Sequence, residues 1–137
     1  QRKPRPGDVL LTMDGGTSIG KPVLFDLEDD FATDSHVAIL RPVGLDPKLL
    51  VYLLASQLGQ LQFQQAESGA SGQTAVTEAD VRRFRFPILD ESLCSRITSD
   101  LEIRLQKATQ MELQARKMRR RAWLDFYNAM VTCGEVK

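Results

Sequence analysis

Histidine occurs once, at position 36, and cysteine twice, at 94 and 133, in a chain of 137 residues. A nucleophilic triad would therefore have to gather around the single imidazole of His36. Its neighbour Ser35 points to the opposite side of an extended chain, and no nucleophile-elbow pattern occurs. His36 reads as a structural histidine. The two cysteines stand far apart without metal-ligand spacing, so they read as reduced and inert. Long apolar runs are absent as well: none approaches the ~18 residues that cross a bilayer. The opening Gln1-Arg2-Lys3-Pro4-Arg5-Pro6 is basic but has no apolar core behind it, which argues against a signal peptide and for a cytoplasmic location. Charge of one sign is missing too. The 18 basic residues balance 18 acidic ones, so affinity for nucleic acid must come from the placement of charges and not from their sum. The length fits one folded unit and excludes a multi-domain enzyme.

What is present divides at about residue 90. Residues 1–89 read as a small β-rich head. Asp8-Val9-Leu10-Leu11-Thr12-Met13 is an apolar run ending at Asp14-Gly15-Gly16, the pattern of a strand followed by a tight turn. Pro22–Leu27 and His36–Arg41 supply two further strands, the last closed by Pro42. The acidic residues between them, Asp26, Glu28, Asp29, Asp30 and Asp34, read as a solvated surface in preference to a metal site. A helix is predicted over about 46–66: Asp46 caps it, Pro47 suits its first position, and Leu50, Leu53, Leu54, Leu58 and Leu61 recur at helical spacing. It is expected to pack on the sheet. Ser68-Gly69-Ala70-Ser71-Gly72-Gln73-Thr74 reads as a flexible loop, and Thr77-Glu78-Ala79-Asp80 as a capping box opening one or two helical turns.

Residues 90–137 are free of proline and, up to Gly134, of glycine, so Asp90 to about Met130 reads as one long α-helix of roughly 60 Å. Ile97, Leu101, Arg104, Ala108, Met111, Ala115, Met118 and Ala122 fall on a heptad seam. Such a rod needs a partner, as an antiparallel coiled coil or a dimer; Ile97, Leu101, Ala108, Met111, Ala115, Met118 and Ala122 are its predicted helix-partner interface. The fold class is thus α+β: a β-rich head with a packed amphipathic helix, then the long helix.

Among motifs with chemistry, Gly15-Gly16-Thr17-Ser18-Ile19-Gly20-Lys21 has the glycine and lysine spacing of a phosphate-binding loop. Pro22 stands where the Mg²⁺-holding hydroxyl belongs, and a strand follows where a helix should begin. Nucleotide binding is therefore not expected. As the tip of a hairpin, Thr17, Ser18 and Lys21 instead offer hydroxyls and a cation for phosphates or base edges. Arg82, Arg83 and Arg85 form a basic cluster suited to DNA phosphates. A second cluster, Arg116, Lys117, Arg119, Arg120 and Arg121, falls on all sides of the long helix and reads as a solvated surface. No active site, cofactor site or metal site is read from the sequence.

The order of these features resembles one family. Gly7–Thr12, Asp14–Lys21, Ser35-His36-Val37-Ala38-Ile39-Leu40-Arg41-Pro42, the leucine-rich helix, Gly69–Thr74 and Phe86-Pro87-Ile88 together look like the second half of a target recognition domain. Such domains belong to the DNA specificity subunits of type I restriction-modification systems. The long helix is similar to that family's spacer helix, which packs antiparallel against a counterpart. The resemblance runs from about Gly7 to Met130. Family domains carry further strands and a helix ahead of the Gly-Asp strand. The resemblance therefore implies part of a larger unit, either a separate subunit or the tail of a fused N6-adenine DNA methyltransferase.

It also implies a non-catalytic module that reads double-stranded DNA while methyltransferase and endonuclease subunits do the chemistry, with helix pairing or a homodimer through the long helix and no membrane. Gln73 would suit a bidentate contact to adenine, and Thr17, Ser18, Ser71 and Thr74 would suit phosphates or base edges. The rival expectation is a helical oligomerisation or adaptor module whose head binds protein.

Overall fold

The computed structural model describes residues 3–28, 30–68, 75–87 and 89–133. Three strands, β1 (Asp8–Thr12), β2 (Pro22–Phe25) and β3 (Val37–Leu40), form one antiparallel sheet in the order β2-β1-β3. Val9 lies opposite Leu24 and Leu40, and Leu11 opposite Pro22 and Ala38. Alternation therefore puts all six on one face. Val9 and Leu11 are completely buried, in a core with Ile19, Leu54, Phe63 and Val76. The fold is α+β, as the alternating and helical patterns predict.

The connection from β1 to β2 differs from the expected tight turn. The ladder extends one step past the strands, through Thr12 and Lys21, and the intervening residues make a wider loop containing a 3₁₀ turn, Gly16–Ser18. Met13 leaves the hairpin because its backbone has other partners: its N–H donates to the His36 carbonyl and its own carbonyl accepts from Val76. Gly20 closes the loop at φ 75°, where a Cβ would sit 2.7 Å from the Phe63 ring. Only glycine meets both demands there.

The predicted helix over about 46–66 is present but broken in two: α1 spans Pro47–Ala55 and α2 spans Gln57–Ser68. Asp46 caps α1 by accepting from Lys48 N at 2.8 Å, with Pro47 at the first position as the sequence implies. The break is at Ser56, whose backbone is extended (ψ 162°). Its Oγ donates to the Leu53 carbonyl at 2.6 Å and accepts from Gly59 N at 3.2 Å, serving the end of one helix and the start of the next. At Gly59 a Cβ would lie 2.3 Å from the Leu54 carbonyl oxygen, so α2 starts hard against the end of α1. Gln60 Nε2 then donates to the carbonyls of Leu54 and Gly20, both at 2.9 Å, which ties the corner to the hairpin loop.

Further on, α3 (Glu78–Val81) opens with the predicted capping box: Thr77 Oγ1 accepts from Asp80 N, and the Asp80 side chain accepts from Thr77 N. Phe84 then packs edge-on against Phe63, with ring centroids 4.7 Å apart. The final element, α4 (Glu91–Cys133), is a continuous 43-residue helix. Asp90 starts it by accepting from Leu93 N at 2.9 Å. The chain divides into two compact units, Gln1–Cys94 and Ser95–Lys137. None of the described helices is long and apolar enough to cross a membrane.

Opposite the core, β1 carries a feature the sequence reading does not contain. Asp8 is 2% exposed and accepts from Arg41 Nε at 2.8 Å, from Arg41 Nη2 at 2.6 Å and from Arg5 N at 2.8 Å. The bidentate Arg41 bond holds the Asp8 carboxyl below the usual carboxylate range, against the opposing pull of burial. A buried carboxylate is tolerable here because its lone pairs are occupied.

Candidate nucleic-acid interface

The Met13–Asp14 backbone joins two segments that are far apart in sequence. Val76 N donates to the Met13 carbonyl at 2.8 Å, and Asp14 pairs with Ala75 as an isolated antiparallel bridge. The hairpin loop therefore departs from the same point to which Ala75 and Val76 are bonded. Thr17 is exposed in the 3₁₀ turn, Ser18 is half-buried beside it, and Lys21 is exposed at the start of β2. Ser71, Gln73 and Thr74 lie outside the described residues, although Ala75, which follows them, is rooted beside Asp14. Lys21 leads directly into β2, so a strand and not a helix follows this loop.

His36 belongs to this edge and is absent from the predicted contacts. Its side chain is exposed. Its Nδ1 lies 2.6 Å from Asp14 Oδ2, and its backbone N–H donates to Asp34 Oδ1 at 2.9 Å. The bonded Asp14 carboxylate, reinforced by its charge and that of Asp34, raises the imidazole pKa above its ordinary value. The signal available in the sequence is strand register: Thr12 faces Val37, so the next residues along, Met13 and His36, are also neighbours.

The arginine cluster divides into two kinds of side chain. Arg82 bonds Glu78 one helical turn back, through Nε at 3.0 Å and Nη2 at 2.5 Å, while Arg83 bonds Asp80. These exposed pairs contribute little to stability, and the facing carboxylates offset the positive charge that DNA would feel. Arg85 differs. Its backbone N–H donates to Gln62 Oε1 at 2.7 Å, its carbonyl accepts from Gln62 Nε2 at 3.0 Å, and its guanidinium is exposed. Among the described residues, neither Arg85 nor Lys21 has a carboxylate partner.

In the acidic stretch, Asp30 pairs with Lys3 at 2.7 Å and Asp34 bonds the His36 backbone; Asp29 lies outside the described residues. No three acidic, histidine or cysteine side chains among the described residues gather as metal ligands.

On α4, taken by itself, the predicted seam is uncovered: Ile97, Leu101, Ala108, Met111, Ala115, Met118 and Ala122 are all exposed, Met118 by 73%. Ala129 extends the seven-residue spacing of Ala108, Ala115 and Ala122, a continuation the sequence reading omits. Trp123 and Phe126 stand edge to face with centroids 6.0 Å apart and are likewise exposed. Compared with known proteins, the chain matches no family model and no curated protein.

Proposed function

We propose that this chain is a sequence-reading module for double-stranded DNA in a restriction-modification system, directing methyltransferase and endonuclease partners to their target without making or breaking bonds itself. The observation that carries the reading is the backbone link at Met13–Asp14, which ties the hairpin loop bearing Thr17, Ser18 and Lys21 to Ala75 and Val76. Hydroxyls on the hairpin loop suit base edges, and lysine suits phosphate. The order of motifs, similar to that of a type I target recognition domain, supports the same assignment, and the uncovered face of α4 suits a partner helix.

Within the basic cluster, Arg85 is the stronger phosphate contact, since Arg82 and Arg83 already hold carboxylates. Duplex binding by the full chain, followed by fluorescence anisotropy across a salt series, tests the reading. Binding should weaken linearly on a log–log plot, and Lys21→Ala and Arg85→Ala should each lower the slope by about 0.9. Absence of salt-dependent duplex binding would overturn the proposal.

A second reading, an oligomerisation or adaptor module, draws on one observation: large exposed apolar side chains line α4 while two of the three arginines in the 82–85 cluster are engaged by carboxylates. The same titration separates the two, because an adaptor shows no duplex binding at any salt.

A further inference from the structure

His36 is the one histidine of the chain, and the two nitrogens of its ring have different surroundings. Nδ1 lies 2.6 Å from Asp14 Oδ2, while Nε2, on the far side of the ring, has no hydrogen-bond partner among the described residues. The side chain is 60% exposed. Its backbone is fixed on both sides: the carbonyl accepts from Met13 N at 2.8 Å and the N–H donates to Asp34 Oδ1 at 2.9 Å. The ring therefore stands, anchored by one nitrogen, beside the residue from which the loop bearing Thr17, Ser18 and Lys21 sets out.

What the second nitrogen offers depends on charge. A carboxylate accepts and does not donate, so Asp14 keeps a hydrogen on Nδ1 whether the ring is neutral or protonated. In the neutral ring Nε2 then bears a lone pair, which repels an anionic oxygen. Protonation puts a hydrogen there and turns an acceptor into a donor. A phosphate diester offers acceptors alone, so it fits the imidazolium and not the imidazole.

Electrostatics points the same way. The charged groups acting on the ring are Asp14, from the hairpin loop, and Asp34, from the stretch leading into β3, whereas Ala75 and Val76, bonded to the same Met13–Asp14 backbone, bring none. Beside a neutral ring both carboxylates face an approaching polyanion. The imidazolium answers one of them. The bond to Asp14, reinforced by both charges, raises the imidazole pKa above its ordinary value, so the cation persists to higher pH than in a free histidine.

We infer that His36 is a further DNA contact of the hairpin loop and a proton-dependent one: held by Asp14 through Nδ1, its imidazolium donates from Nε2 to a backbone phosphate. Asp14 is the positioning residue for this contact. The inference rests on the DNA reading proposed above and adds to it a contact that is present at low pH and lost as the ring deprotonates.

The test titrates the full chain into a fluorescein-labelled duplex of mixed sequence and follows anisotropy across a salt series at about pH 5.5 and at about pH 8.5. For the native chain the log–log slope should be steeper at the lower pH by about 0.9, the worth of one phosphate contact. His36→Gln keeps every other titrating group and should abolish that difference, while His36→Arg, permanently charged, should retain the steep slope at both. Because the chain holds a single histidine, the imidazole Cε1–H resonance in proton NMR reports its titration directly. The midpoint should fall in Asp14→Asn and rise when the duplex is added. Duplex binding in which the native and His36→Gln slopes respond alike to pH overturns the inference and leaves the DNA reading standing, as does a midpoint that the duplex does not move. A midpoint unchanged in Asp14→Asn overturns the role of Asp14. Absence of duplex binding at either pH overturns the DNA reading, and this contact with it.

Discussion

The head and the long helix satisfy their apolar residues in opposite ways. In the head, β1 buries Val9 and Leu11 completely, and Phe63 is 2% exposed against Gly20 and Phe84. In α4, Met111, Met118, Trp123 and Tyr127 are each more than half exposed. Backbone hydrogen bonds within a helix hold α4 together locally, whereas the head depends on contacts between residues distant in sequence. One region buries a core of its own, and the other has its hydrogen bonds but not its packing.

That contrast sets the size of the effects to expect. Phe63→Ala should cost the head about 3–5 kcal/mol, because the ring fills the space between the Gly20 loop and Phe84 and a cavity would replace it. Urea titration followed by near-ultraviolet circular dichroism measures this, and a loss under 1 kcal/mol would mean that Phe63 is not a core residue.

Asp8→Asn should cost about 2–4 kcal/mol, less than a fully buried pair because Arg41 is half-exposed. The pH dependence follows from the lowered Asp8 pKa. Its contribution is fully present above the carboxylate's unfolded value, near 3.8, and is lost as pH falls through the lower folded value. The variant's stability should therefore fall less than the native chain's between pH 4 and pH 2. Parallel curves would remove Asp8 from the acid response. The smallest change belongs to the helix: Met118→Gln should leave the head's urea midpoint within the equivalent of about 0.5 kcal/mol, since an exposed site has nothing to lose within one chain. A larger shift would show that α4 and the head unfold as one.

Local signals and long-range ones divide what could be read in advance. Asp46 with Pro47, the Thr77 and Asp80 box, and the glycine-free run after Asp90 each act within a few residues, and each forms the element its spacing implies. The break at Ser56 does not announce itself, because Leu50, Leu53, Leu54, Leu58 and Leu61 keep helical spacing straight through it. Its cause is tertiary: Gly59 lets α2 press on the end of α1, and Gln60 reaches Gly20, 40 positions away. Asp8 with Arg41 and Asp14 with His36 are hidden for the same reason, being partners only after β1 and β3 pair. At the candidate interface, Thr17, Ser18 and Lys21 are recognisable from turn chemistry. The difference between Arg85 and its two neighbours is visible only once Glu78 and Asp80 take their places on α3.

The absence of any break in α4 constrains how its length can vary. Removing seven residues would shorten it by about 10 Å and return the exposed stripe to nearly the same bearing, within about 20°. Removing one would swing everything beyond the cut by about 100° and scatter the stripe around the rod. Related chains with a shorter or longer reach should therefore differ in steps of whole heptads.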